Sequence, residues 1–222
     1  MICSRCRNPL QKYSVIRYLH HSIDVSTITC PACDVCIGIN LKGKWKNVDQ
    51  VLGSGGERNG WIEVSSVEDK AVHFVLSKVL YEQYEPPDSH NFESPYDLPE
   101  SSDVVKILWC KGIAVGFYTL KLKGTWNEEM GSKYEMNTLD TAYIRNSHRR
   151  KGYGTSILYD LVNTYPGENV GLSKPISNSM RMVLSKFLSQ HTQYRLNFWE
   201  IEGSGSEGFR TLVWYSMKSK RR

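Results

Sequence analysis

The chain has 222 residues, 40% of them hydrophobic and 23% charged, with a net charge of +5. That length holds one large domain or a domain with a small extension, and the balance is ordinary for a globular protein. No apolar run approaches the ~20 residues of a membrane span, and the N-terminus lacks the apolar stretch of a signal peptide. The expected compartment is therefore intracellular, nucleus or cytoplasm, where the six cysteines stay reduced. A mild basic excess suits an anionic ligand and does not by itself mark a nucleic-acid binder.

Along the chain, the first feature is a pair of short cysteine motifs. Cys3 and Cys6 form one Cys-x-x-Cys, and Cys30-Pro31-Ala32-Cys33 forms another, with 23 residues between them. Two such knuckles suit a tetrahedral structural zinc ion, because each turn presents two sulfurs to one metal. Cys36 makes a further Cys-x-x-Cys with Cys33 and leaves the fourth ligand open. Free thiols in an N-terminal extension are the alternative. Residues 1–35 are thus read as a small Cys-rich extension, residues 36–217 as the main domain and residues 218–222 as a basic tail.

The main domain opens with an apolar strand at 36–41 and a short helix at 44–52, stopped by Gly53. A loop with four glycines fills 53–60. Val67, Ala71, Phe74, Val75 and Val79 recur at helical spacing, so 66–84 is a helix, with Ser66 as its N-cap and Asp69 three residues on. Residues 86–102 hold several prolines and acids and read as a surface loop. Strands at 104–110 and 113–122 flank Lys111-Gly112 as a hairpin. A polar connection covers 123–136. A strand at 138–144, a helix at 155–165 with Ile157, Leu158, Leu161 and Val162 inward, a strand at 169–173 and a helix at 176–188 follow. The last strands are expected at 194–201 and 209–217.

Between the strand at 138–144 and its helix stands Arg149-Arg150-Lys151-Gly152-Tyr153-Gly154. Glycines let a backbone approach an anion closely, and the unpaired N–H groups of a helix start point at it. The loop is not a Walker A motif, since no lysine separates Gly154 from Thr155, and two glycines do not make the dinucleotide fingerprint. It reads as a phosphate site.

Arg149-x-x-Gly152-x-Gly154 resembles motif A of the GNAT superfamily of N-acetyltransferases, and the order of strands and helices is similar to theirs. The resemblance implies an α/β (α+β) fold with a mixed, mostly antiparallel central sheet flanked by helices. It implies acetyl-CoA as cofactor, with its pantetheine arm beside the backbone of Tyr143, Ile144 and Arg145. Its phosphates would lie beside Arg149, Arg150, Lys151, Gly152, Tyr153, Gly154 and Thr155. Asn178 fits an asparagine that the superfamily carries ahead of a fourth-helix residue. Many members carry a tyrosine seven residues later, as acid toward the thiolate; here that position is Ser185.

The segments Val105-Lys106-Ile107-Leu108-Trp109, Gly116-Phe117-Tyr118, Leu139-Asp140-Thr141 and Trp199-Glu200-Ile201-Glu202-Gly203 resemble the soluble lamin-associated protein family (family with sequence similarity 169). That likeness runs from about Trp45 to Glu202 and implies nuclear residence without a substrate. Asp140, Glu200 and Glu202 are the candidate bases, with Asp140 on the same strand face as Ile144. The expected activity is acetyl transfer to an amine, on an unknown small molecule or protein. A catalytically silent scaffold is the second reading. A zinc-containing nucleic-acid adaptor is the third, and it is disfavoured because the six tryptophans are scattered rather than arranged as a stacking platform.

Overall fold

A computed structural model of the chain describes residues 3, 6–8, 14–20, 23–96 and 98–219. Of the basic tail, residues 220–222 lie outside the described set. The chain forms two compact units: residues 1–86, 96–101 and 106–117 make the first, and 87–95, 102–105 and 118–222 the second.

The first unit begins with a four-stranded antiparallel sheet of β1 (Ser14–His20), β2 (Ile23–Thr29), β3 (Cys36–Leu41) and β4 (Lys44–Lys46), in that order. Its register pairs Tyr18 with Val25, Thr27 with Ile39 and Asn40 with Trp45. The expected helix at 44–52 is only half right. Asn47 accepts from the backbone N–H of Gln50, and the Gln50 side chain returns the bond to Asn47, so the helix α1 (Val48–Leu52) starts there. Residues before that cap are outside the helix and pair with β3 instead.

β5 (Gly60–Glu63) pairs antiparallel with β6 (Val104–Cys110), Trp61 facing Leu108. β6 turns through Lys111-Gly112 into β7 (Ile113–Lys121), as the hairpin signal predicts. The helix at 66–84 is present in two parts. α2 (Val67–Phe74) is capped by Ser66, whose hydroxyl accepts from Asp69 N–H while the Asp69 carboxylate accepts from Ser66 N–H. From Val75 to Tyr84 the helix widens into a π-helix, closed by a bond from Glu85 N–H to Leu80 O. At the junction the Ser77 hydroxyl donates to the buried carbonyl of His73 at 2.8 Å, a side-chain competitor for a main-chain acceptor. Phe74, Val75, Leu76 and Val79 are fully buried. Arg58 lies 4.1 Å over the Trp109 ring and pairs with Asp69 at 2.6 Å. Burial opposes ionisation of Asp69, but Arg58 and Ser66 outweigh it and hold the carboxyl below its ordinary value.

In the second unit β7 neighbours β10 (Asn137–Ile144). Lys123 N–H meets the Asn137 side chain and Thr141 N–H meets Thr119, contacts that run in opposite senses and make the pair antiparallel. The connection between them, expected as a polar loop, carries a small hairpin of β8 (Trp126–Asn127) and β9 (Ser132–Lys133). β11 (Val170–Ser173) runs parallel to β10, β12 (Phe198–Ile201) parallel to β11, and β13 (Arg210–Leu212) antiparallel to β12. The order is β13-β12-β11-β10-β7-β6-β5, mixed and mostly antiparallel as expected.

α3 (Tyr153–Thr164) buries Ile157, Leu158, Leu161 and Val162, the stripe read from the sequence. α4 (Asn178–Gln190) starts at the cap Ser177 and buries Leu184, Phe187 and Leu188. The expected strand at 209–217 is a correction: after β13 the chain turns into helix α5 (Val213–Ser219). Among the described residues no helix is long and apolar enough to cross a membrane.

Candidate functional site

The phosphate-type loop sits where the sequence puts it, between β10 and α3. A short turn at Asn146–His148 leads into it. Arg150 takes φ 65° and Gly152 φ 87°. Both are left-handed, a conformation that glycine adopts freely and arginine at a cost. Gly152 is the N-cap of α3 and offers no side chain to its first turn. The first turn of α3 thus receives no bond from the side chain of its cap, and the helix dipole there favours negative charge. Gly154 has a different reason to be glycine: an added Cβ would meet Val183 Cγ2 at 3.0 Å, so α3 and α4 approach closely there.

The cations around the loop are partly employed. Arg149 Nε donates to the Ile144 carbonyl at 3.0 Å, and its guanidinium lies 3.8 Å from the Glu93 carboxylate. Lys151 Nζ donates to the Ser147 carbonyl at 3.1 Å. Ser147 Oγ bonds His148 Nδ1 at 2.9 Å. Arg145 Nε is buried without a hydrogen-bond partner. Its place at the mouth of the loop suits an anion, since a buried guanidinium N–H is costly to leave unpaired.

β10 pairs with β11 only at Asn137↔Val170, Thr138↔Gly171 and Leu139↔Leu172. β11 ends at Ser173 while β10 continues to Ile144, so the β11 side of residues 140–144 lies beyond the ladder. Tyr143, Ile144 and Arg145 stand at the end of that stretch. Asp140 stands at its start, exposed, with its carboxylate accepting from Ser173 Oγ at 2.8 Å. Ser173 belongs to no motif or spacing pattern; it meets Asp140 because β11 lies beside β10.

The other acids are placed differently. Glu200 is buried on β12 and bound by Arg181 at 2.5 Å and by the Ser216 hydroxyl at 3.2 Å. Glu202 is exposed and paired with Lys174 at 2.6 Å. Asn178 begins α4, with its side-chain amide 3.5 Å from the Asn91 side-chain oxygen. Ser185 is half-buried on α4. Tyr159, on α3, bonds His191 Nε2 at 2.7 Å.

The cysteine motifs converge in the first unit. The sulfurs of Cys3, Cys6, Cys30 and Cys33 all lie within 4.8 Å of one another, with Cys3–Cys33 and Cys6–Cys30 at 3.6 Å. Four bonds of ~2.3 Å to a tetrahedral zinc would set sulfurs ~3.8 Å apart. The two motifs repeat one backbone geometry. Arg7 N–H returns to Cys3 O and Asp34 N–H to Cys30 O; Cys3 N–H reaches Asn8 O and Cys30 N–H reaches Val35 O. Arg7 and Asp34, each four residues after the first cysteine of its pair, are left-handed at φ 59° and 55°.

Burial and the neighbouring thiol of Cys3 push the Cys33 thiol up to about 12. Sulfurs crowded in this way lose their protons readily only to a cation placed among them. Cys36 is outside the group: its Sγ donates to Gly38 O at 3.5 Å, and burial raises its thiol to about 11. Tyr84 and Val35 pack against the cluster. The π-helix is tied to it through Gln83 Oε1, which accepts from Cys36 N–H at 2.8 Å, and through Tyr84 OH, which donates to Cys36 O at 3.1 Å.

No protein-family model matches the chain. Among curated proteins it is 32% identical over 191 residues to FAM169B of Mus musculus, covering 84% of this chain and 56% of that protein. It is 35% identical over 123 residues to FAM169BP of Homo sapiens, covering 54% and 62% respectively. The chain thus spans about three-fifths of the length of these relatives or less. Among solved structures it aligns with the coenzyme A-bound YhhK of E. coli at TM-score 0.40 and 16% identity, covering 70% of this chain and 98% of that one. It also aligns with a ribosomal-protein-alanine N-acetyltransferase of Brucella melitensis at TM-score 0.29 and 18% identity, covering 40% and 65%. By sequence, this chain is a homologue of FAM169B and FAM169BP.

Proposed function

We propose that the second unit binds acetyl-CoA and transfers its acetyl group to an amine. The observation that carries this reading is the coincidence, on one strand, of two features. β10 leaves the ladder of β11 after Leu139, and it ends in a left-handed glycine loop that opens α3 without a side-chain cap. The first feature gives an extended ligand arm a strand edge beside Tyr143, Ile144 and Arg145, and the second gives its phosphates backbone donors and cations.

Bound acetyl-CoA would supply the activated acyl group. The chain's own residues do the rest. Arg149, Arg150 and Lys151 hold the phosphates, and the N–H groups opening α3 orient them. Asp140, fixed by Ser173, would take the proton that the attacking amine loses as its nitrogen bonds the acyl carbon; the carbon–sulfur bond then breaks, and the thiolate left on coenzyme A would take its proton from water. Glu200 is bound by Arg181 and Ser216, and its proposed role shifts from base to support of β12 against α4. The four-cysteine group in the first unit holds a structural zinc ion, with all four sulfurs as ligands and none left for chemistry. The compartment proposed is the nucleus or the cytoplasm.

Titration of acetyl-CoA against melting temperature tests the binding step. At ~100 times Kd a ligand adds about 2.7 kcal/mol, which for a chain of this size raises the midpoint by roughly 5–10 °C. Arg149→Glu with Arg150→Glu should erase that shift while the unliganded midpoint stays put. An undiminished shift in the double variant would sink the loop assignment. A second reading, a cofactor-binding scaffold without turnover, is favoured by Ser185 at the position where a tyrosine acid is usual. Binding without acetyl transfer to any amine tested would select it.

A further inference from the structure

We infer that the β8–β9 hairpin and the loop at 202–209 together form a docking surface for a lysine- or arginine-rich protein segment that carries apolar anchors. This stands independently of acetyl transfer.

The two segments are stitched into one platform. Ser132 Oγ bonds Ser204 Oγ at 2.8 Å, and Glu135 N–H reaches Ser204 O at 3.0 Å. The Met130 side chain lies over Gly203, where even a Cβ would come within 2.7 Å of it. Below the surface the polar groups are buried and matched. The Asn127 side chain donates to Tyr134 OH at 3.0 Å and accepts from Met130 N–H at 3.1 Å. Asn127, Tyr134 and Ser204 are all nearly inaccessible. A pair of two-residue strands has no stability of its own, so this internal bonding is what fixes its shape.

What the platform presents outward is the reverse of what folding favours. Trp126 is 49% exposed, Met130 47% and Phe209 52%. Exposed carboxylates interleave with them: Glu128, Glu129, Glu135 and Glu207. Lys133 is the exposed cation within these two segments, since Arg210 directs its guanidinium to Gly205 O and the Trp199 ring. The whole chain carries +5, so this acidic face is a local exception to the molecule's charge. Exposed apolar groups on a fixed scaffold, interleaved along the chain with exposed carboxylates, have the composition of an interface core with its rim. The aromatic and methionine anchors supply affinity, and the carboxylates select a cationic partner and speed its encounter.

The test uses a fluorescein-labelled peptide alternating lysine and leucine, read by anisotropy against the full chain, with a lysine–glycine peptide of equal charge as comparison. The expected result is binding of the first peptide, weaker by roughly tenfold for the lysine–glycine peptide and by a similar factor in the Glu128→Lys, Glu129→Lys, Glu207→Lys variant. Phe209→Ser should weaken binding too, with an unchanged circular dichroism spectrum. Equal binding of both peptides would show charge attraction without a docking site and overturn the inference. So would undiminished binding by both variants.

Discussion

The two candidate ligand regions of this molecule are put together in opposite ways. In the cysteine cluster two chain segments far apart in sequence repeat one backbone geometry, and four side chains meet at a point. In the glycine loop the backbone itself makes the site, through two left-handed residues and a helix start, while the acids expected to act there go separate ways. Asp140 is held at the parting of two strands; Glu200 is locked to Arg181. A side-chain site is specified by residue type and spacing. A backbone site is specified by conformation, and its chemistry waits on whatever tertiary neighbours arrive.

The widest separation between the two should come from Cys30→Ser. Structural zinc contributes on the order of 10 kcal/mol in small metal-dependent folds, as much as the whole stability of many domains. Metal analysis should fall from about one ion per chain to none, and hydrogen exchange over residues 23–41 should lose its protection. A variant that keeps its ion and its protection would remove the metal reading.

Glu200→Gln should have the next largest effect. It leaves the half-buried Arg181 guanidinium without its carboxylate, at about 2–3 kcal/mol, visible as a fall in the denaturant midpoint. Were Glu200 a base and nothing more, the midpoint would hold and only turnover would fall.

Cys36→Ala should have the smallest effect, about 1 kcal/mol, with metal content unchanged. Loss of the ion in that variant would reassign the fourth ligand.

The parts of this architecture that were readable from sequence are those set by local rules. Ser66 and Asp69 form the expected cap because both partners lie within one turn. Ile157, Leu158, Leu161 and Val162 are inward because the period of α3 fixes their face. The failures come where long-range partners decide. No element was expected over residues 14–29, yet they form β1 and β2, since their pairing with one another and with β3 supplies order that no local signal carried. Val213-Trp214-Tyr215 looks like strand, being β-branched and aromatic, but α5 packs against β12 and α4 and context overrides propensity. Of the candidate site, the position of the loop between β10 and α3 and the meeting of the two cysteine pairs were legible. The engagement of Glu200 by Arg181, from α4, and of Asp140 by Ser173, from β11, was not.

The early end of β11 carries a consequence for handling the protein. Past Leu139, β10 runs on to Ile144 without a β11 partner in the ladder, in the midst of a sheet rather than at its rim. Such an unfinished seam accepts whatever extended chain reaches it first. An amide-bearing ligand would behave there as a surrogate strand, and so would a stretch of another polypeptide. Purified protein held at high concentration without ligand is therefore open to self-association at this seam, and a ligand that fills it should act as a solubility agent before it acts as anything else.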